Sequence, residues 1–316
     1  MTDLAADSTQ LPEATREILR QAERFDGTPP VSDQALLAVA QGRRSLFEFD
    51  AASGRVAHIG GVADAEVAAV GIIGEGELDL VVRPTSRGRG IARAALRELL
   101  SSEDRRASPP LRAWAHGENP AAHALLQRAG FTPVRSLLRM TLEPGLLAGA
   151  IADSRPLPAG FEVRAFDASA PTDAAEWVRV NAAAFADHPE QGAVTLADFA
   201  ALTREPWFDS EDLRLAFHST GSGNGTALAG FAWIKTTRGD DGVETELYVL
   251  GVDPADAGLG LGAALLGETL RRMAAHAPHR ISLYVDGDND GARALYERAG
   301  FGIEQRSTQF VLLNNG

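Results

Sequence analysis

TELYVLGVDPADAGLGLG, running from Thr245 to Gly262, decides how the rest of the chain is read. Residues Glu246 to Val252 have strand character, and Asp253-Pro254 stops the strand. A glycine-rich turn follows, then an apolar helix expected from about Leu259 to Ala275. Strand, turn and helix N-terminus together make an anion-binding device. Backbone N–H groups and the positive end of the helix dipole face a phosphate, and the glycines let it approach closely. One such turn also arises for purely structural reasons. This chain carries it twice.

Working outward, Val82-Arg83-Pro84 matches Val252-Asp253-Pro254, and Gly90 matches Gly260. The run Asn119, Ala122, Leu125, Arg128, Ala129, Gly130, Phe131 matches Asn289, Ala292, Leu295, Arg298, Ala299, Gly300, Phe301. Each pair lies 170 residues apart (252 − 82, 260 − 90, 301 − 131). Identity at one fixed offset over two separated motifs points to duplication. The Gly-, Pro- and Ala-rich stretch from Glu143 to Gly160 reads as the linker, so domains are expected over 1–150 and 155–316.

The remaining elements fit that plan. A helix is expected over 11–25, a short one capped by Ser32 through Val39, and strands at 44–50, 55–63, 66–73 and Glu77 to Val82. RGRGIARAALRELL then opens a helix on Gly88 and Gly90, and Leu111 to Ala115 is a strand. Asn119-Pro120 starts a helix that ends at Gly130-Phe131, and 132–142 is extended. Residues 215–234 read as two strands joined by a polar loop. The fold class is α+β: two tandem domains, each a mixed, mostly antiparallel twisted sheet flanked by helices.

Composition limits the function. The chain has 316 residues, 45% of them hydrophobic, enough for two domains. A formal net charge of −13 argues against nucleic-acid or anionic-membrane partners. Without cysteine there is no disulfide, thiolate metal site or Cys nucleophile, and no metal site is expected. The acidic, polar start lacks a signal pattern, and no apolar run approaches a membrane span; a cytoplasmic monomer is expected.

The motif V-x-P-x-x-R-G-x-G-x-A at Val82 to Ala92, then a strand, then N-x-x-A-x-x-L-x-x-x-x-G-F, resembles the GNAT superfamily of N-acetyltransferases. In that family the Gly-turn holds the pyrophosphate of acetyl-CoA. The resemblance therefore implies a cradle made of Leu80, Val81, Val82, Arg87, Gly88, Arg89, Gly90, Ile91 and Ala92. It implies another made of Leu250, Gly251, Val252, Ala257, Gly258, Leu259, Gly260, Leu261, Gly262 and Ala263. Asn289, Asp290, Gly291, Ala292, Arg293 and Ala294 open the helix bordering the pantetheine arm, Asn289 bonding the cofactor and Asp290 capping the helix.

The stretches NAAAFADHPEQG (Asn181 to Gly192), ELYVLGVDP (Glu246 to Pro254) and LYVDGDN (Leu283 to Asn289) narrow the resemblance to tandem members. Those members acetylate the cysteinyl amine of cysteinyl-glucosaminyl-inositol, a small-molecule acceptor. The resemblance then implies acceptor contacts from Asp33, Glu190, Lys235, Glu246 and Tyr284.

Acetyl transfer to an amine needs the amine neutral, a donor to the thioester carbonyl and a proton for the departing thiolate. A free α-amine titrates at roughly 7.7–8.0, so a modest base suffices. Glu246 is the candidate base and Tyr296, one turn before Gly300-Phe301, the candidate general acid. The plainer readings are an exposed strand-end carboxylate and a core aromatic. At the fixed offset Glu246 falls on Gly76 and Tyr296 on Leu126, so the C-terminal half is the expected catalyst. The N-terminal half is expected to bind acetyl-CoA without turning it over. The second turn contains no cation, leaving backbone amides with help from Arg271, Arg272 or Arg293. Two other readings stay open: another amine acceptor (polyamine, aminoglycoside or peptide N-terminus), or a non-catalytic acetyl-CoA sensor.

Overall fold

The computed structural model describes residues 11–51, 56–57, 66–101, 110–186, 188, 191–219, 227–239 and 241–313. The first half runs α1 (Glu13–Asp26), α2 (Asp33–Ala40), β1 (Ser45–Asp50), β2 (Val56–Ala57), β3 (Val67–Gly74), β4 (Glu77–Val82), α3 (Ile91–Ser101), β5 (Leu111–Ala115), α4 (Pro120–Arg128) and β6 (Thr132–Leu142). The second runs α5 (Leu147–Ala152), β7 (Phe161–Ala165), α6 (Asp173–Ala184), α7 (Leu196–Leu202), β8 (Leu213–His218), β9 (Leu228–Gly239), β10 (Gly242–Val252), α8 (Leu261–Ala275), β11 (Arg280–Asp286), α9 (Asp290–Arg298) and β12 (Gly302–Leu312). The α+β reading holds.

Local chemistry accounts for the boundaries. α1 buries Thr15, Ile18, Leu19 and Ala22, a stripe at helical spacing, and stops at Gly27, whose φ of 69° favours glycine. Ser32 Oγ accepts from the Ala35 amide and starts α2.

Two compact units emerge, and they do not coincide with the two halves of the repeat. One takes the described chain up to Leu138 with Asp286–Asp288 and the stretch from Gln305. The other takes Arg139–Val285 and Asn289–Glu304. In the N-terminal unit the strand order is β2-β1-β3-β4-β5-β12, with β4 and β5 parallel and β12 antiparallel to β5 from Thr308↔Ala115 to Leu312↔Leu111. In the C-terminal unit the order is β11-β10-β9-β8-β7, with β10 and β11 parallel and β11 next to β6, most of which, Thr132–Leu138, belongs to the N-terminal unit. β12, from the second half of the sequence, thus pairs with β5 of the first, and β6, from the first half, neighbours β11 of the second. Two halves built from the same motif make that exchange sterically equivalent to pairing at home, so the repeat alone does not reveal it.

Each unit has its own core. Phe49, Ile73, Leu78, Leu96, Leu99 and Phe310 pack the N-terminal one. Trp177, Phe199, Leu213, Phe231 and Trp233 pack the C-terminal one. α8, the helix behind the second Gly-turn, is also pinned by a polar contact. Asp212, 0% exposed, accepts from Arg272 Nε at 2.6 Å and Thr236 Oγ1 at 3.0 Å, with His276 Nε2 2.8 Å away. Removing one member of a buried charge cluster leaves the others unpaired. Asp212→Ala is therefore expected to cost about 3 kcal/mol in a denaturant titration; a loss below about 1 kcal/mol would contradict this role. Among the described residues no helix is long and apolar enough to cross a membrane, and no group of three His, Cys, Asp or Glu is placed to hold a metal.

Candidate active site

The two Gly-turns are duplicates in geometry. Gly88 and Gly90 have φ of 77° and 84°, and Gly258 and Gly260 have 80° and 83°. These left-handed values require glycine. A Cβ at Gly88, Gly90 or Gly258 would meet nothing within 4 Å, so the space in front of each turn is open to a ligand. α3 and α8 begin immediately afterwards, at Ile91 and Leu261. In the N-terminal unit the turn borders a cavity of about 840 Å³, lined along its length by Leu80, Val82, Ala92, Ala122 and His116. That volume suits the arm of a coenzyme.

The cations differ from those expected. Arg87 donates to both carboxylate oxygens of Asp26 at 2.7 Å and to the Val82 carbonyl at 3.1 Å, and stacks 5.2 Å from the Phe25 ring. It ties the turn to the end of α1, while Arg89 stays exposed. Arg128 of the repeated run also lines the cavity, with Arg93 and Arg97, which the motif does not single out.

In the C-terminal unit the expected helpers are engaged. Arg271 holds Glu268 and Ser154, Arg272 holds Asp209 and Asp212, and Arg293 holds Asp290. The cation at this turn is instead Arg155, from the linker: its Nη1 lies 3.8 Å from where a Cβ would stand on Gly260. A charge-assisted bond to phosphate is worth about 1.5–3 kcal/mol. Arg155→Ala is accordingly expected to raise the acetyl-CoA Kd about tenfold, with the loss shrinking at high salt. Unchanged calorimetric affinity would exclude Arg155 from the cradle.

Beside the second turn, β10 carries Glu246 opposite Lys235 on β9 and Ser282 on β11, so the three share one face of the sheet. Tyr284, two residues beyond Ser282, lies on that face too, with the Arg139 guanidinium 5.9 Å from its ring. Parallel pairing of β10 and β11 runs from Glu244↔Arg280 to Leu247↔Leu283, while the strands continue to Val252 and Asp286. Beyond Leu247 and Leu283 the two strands are no longer paired. At the same level the β9–β10 register shifts between Leu247 and Val249, making Tyr248 a bulge residue. Its ring lies 5.3 Å from Trp207 and 5.9 Å from Trp233, and Lys235 Nζ lies 5.5 Å over Trp207. Trp207 and Tyr248 are partly buried against the core of this unit, beside Lys235.

Tyr296 lies on α9, 7% exposed and edge-on to Phe301. Burial pushes its phenol up to about 12, so at neutral pH it is held as a proton donor. The cap expected of Asp290 is Asn289 instead: its Oδ1 accepts from the Ala292 amide at 3.0 Å, while Asp290 meets Arg293 at 3.2 Å. Asn119 caps α4 in the same way through the Ala122 amide at 3.0 Å. Glu190 lies outside the described residues. At the next residue, Asn181 Nδ2 donates to the Gln191 carbonyl at 2.6 Å and Gln191 Nε2 donates to Asn181 Oδ1 at 2.8 Å. Asp33 opens α2 of the N-terminal unit, where a carboxylate also suits the helix dipole.

The fixed offset misplaces one counterpart. It sets Glu246 against Gly76, but the strand pairing does not. Glu246 pairs with Ser282, and Glu77 pairs with Arg112, the counterpart of Ser282. On the antiparallel side Leu247↔Ile234 then Glu246↔Lys235 corresponds to Leu78↔Ile73 then Glu77↔Gly74. The bulge at Tyr248 inserts one residue, so the structural counterpart of Glu246 is Glu77. What the first half lacks is the phenol, since Leu126 stands at the position of Tyr296 and is buried in the core.

Known proteins share this architecture. The Acetyltransferase (GNAT) family matches residues 19–131 and 181–301. A protein named mycothiol acetyltransferase from Kineococcus radiotolerans is 41% identical over 98% of this chain and 99% of its own length. Another of that name from Clavibacter michiganensis is 39% identical over 92% of this chain and 89% of its own. Among solved structures, a tandem GNAT protein from the clavulanic acid biosynthesis pathway covers 98% of this chain and 97% of its own at a TM-score of 0.67 and 18% identity. A GCN5-related N-acetyltransferase from Sphaerobacter thermophilus covers 95% and 91% at a TM-score of 0.62 and 21% identity. At that identity the structures speak for the fold.

Proposed function

The chain belongs to the acetyltransferase (GNAT) family, and we propose that its C-terminal unit acetylates the cysteinyl amine of cysteinyl-glucosaminyl-inositol with acetyl-CoA, giving mycothiol and CoA. The observation that carries this reading is Glu246 and the buried phenol of Tyr296 in the unit whose strands part beside a Gly-turn. The relatives' name supports the acceptor. Bound acetyl-CoA supplies the activated acetyl group.

The residues divide the work. The turn from Ala257 to Ala263 and the N-terminus of α8 hold the pyrophosphate, aided by Arg155. Glu246 takes the proton from the amine, directly or through water. Tyr296, neutral at working pH, gives a proton to the departing thiolate. Lys235 and Tyr284 receive the polyhydroxylated acceptor, with Glu190 as a further carboxylate for its hydroxyls. The N-terminal unit cradles a second acetyl-CoA in its cavity, and the protein works in the cytoplasm as a monomer.

Competition decides the acceptor. With acetyl-CoA limiting, cysteinyl-glucosaminyl-inositol is expected to outcompete spermidine, an aminoglycoside and a peptide N-terminus. Equal use of those amines would overturn the assignment while leaving the acetyltransferase itself intact.

A further inference from the structure

The acceptor-side face of the N-terminal unit is not a degenerate copy of the C-terminal one. Glu77 holds the strand position of Glu246, and Asp79, 7% exposed, follows on the same face. Across the parted ends of β4 and β5, His116 lines the cavity and brings Nε2 to 3.9 Å from Asp79 Oδ1, while Arg44 Nη1 approaches Asp79 Oδ2 at 3.7 Å. That imidazole nitrogen is buried and makes no hydrogen bond. Nε2 is thus the ring nitrogen turned to the Asp79 carboxylate, a counter-charge for an imidazolium, while the His116 side chain as a whole borders the cavity. Its ring is held by stacking on Trp114, centroids 6.1 Å apart, and Trp114 by Arg135 at 5.7 Å. In the other half the counterpart of His116 is Asp286, which Arg135 binds at 2.6 Å, so the imidazole is peculiar to this unit.

We propose that the N-terminal unit is a second thioester-cleaving centre, in which His116, backed by Asp79, hydrolyses a short-chain acyl-CoA held in the cavity. His116 takes a proton from water as the water oxygen bonds to the acyl carbon. The carbon–sulfur bond breaks, and the imidazolium returns the proton to the thiolate, leaving a carboxylic acid and CoA. One group thus serves as base and acid, which answers the loss of the phenol at Leu126. The proposal rests on the reading of the N-terminal turn as an acetyl-CoA cradle.

The test uses the full chain carrying Glu246→Gln and Tyr296→Phe, with acetyl-CoA and no amine. Because the protein has no cysteine, a thiol reagent reports CoA alone. CoA release is expected above the enzyme-free rate, and to fall at least tenfold when His116→Gln or His116→Ala is added at an unaltered melting temperature. Release at the enzyme-free rate, or release indifferent to His116, overturns the centre. Calorimetry with CoA separates the causes: two bound per chain without His116-dependent release removes only the hydrolysis, whereas one per chain removes the N-terminal cradle as well.

Discussion

Glu246→Gln is expected to lower kcat/KM for the cysteinyl acceptor by about 10²–10⁴, the range of a positioned general base. That loss equals about 3–5 kcal/mol of transition-state stabilisation. The change is nearly isosteric and leaves the turn from Ala257 to Gly262 untouched, so acetyl-CoA affinity is expected to hold within a factor of about two. The effect should shrink as pH rises past the amine's own range of roughly 7.7–8.0, where the acceptor deprotonates without help. A variant that keeps wild-type turnover at neutral pH would leave Glu246 as an acceptor contact only. Because Glu77 occupies the matching register, Glu77→Gln in the same assay serves as the control, with little change expected.

Tyr296→Phe is expected to lower kcat about 10²-fold or more, with the KM for both substrates little altered, because only the proton to the leaving thiolate is lost. The phenol also leaves a mark on stability. Its folded pKa, about 12, lies above the ordinary value of 10.0. Below pH 10 the group is neutral in both states, and stability is fully present. As pH rises from 10 towards 12 the unfolded chain ionises first and stability falls, by roughly 2–3 kcal/mol at about 1.4 per unit. The difference between wild type and Tyr296→Phe in unfolding free energy, followed over that window, isolates this contribution. A flat difference would mean the hydroxyl is not desolvated.

The sequence was most legible where chemistry leaves one choice. Only glycine tolerates the φ values found at Gly88, Gly90, Gly258 and Gly260, so the turns and their duplication stood out. β5 falls at the expected residues, since alternation is strong there, and β6 does so because Gly130-Phe131 marks the end of the helix before it. Glu246 and Tyr296 could be singled out as candidates because one lies on the strand that enters the second turn and the other on the helix that ends at Gly300-Phe301. The bulge was not, because one inserted residue at Tyr248 leaves no compositional trace, yet it shifts the counterpart of Glu246 from Gly76 to Glu77. Nor was the exchange of β6 and β12, whose patterns satisfy either sheet. Arg155 was hidden for another reason: it sits in a stretch whose Gly, Pro and Ala content reads as spacer, and only the folded chain returns it to Gly260.

Transfer of acetyl to one amine by one unit is the core of the proposed chemistry. Purified protein with acetyl-CoA and cysteinyl-glucosaminyl-inositol, followed by mass spectrometry and CoA release, tests it most directly. The prediction is one acceptor-dependent CoA per acetyl amide formed on the cysteinyl nitrogen, that increment depending on Glu246 and Tyr296. No acceptor-dependent CoA release above background, or acetylation undiminished by both substitutions, would contradict it.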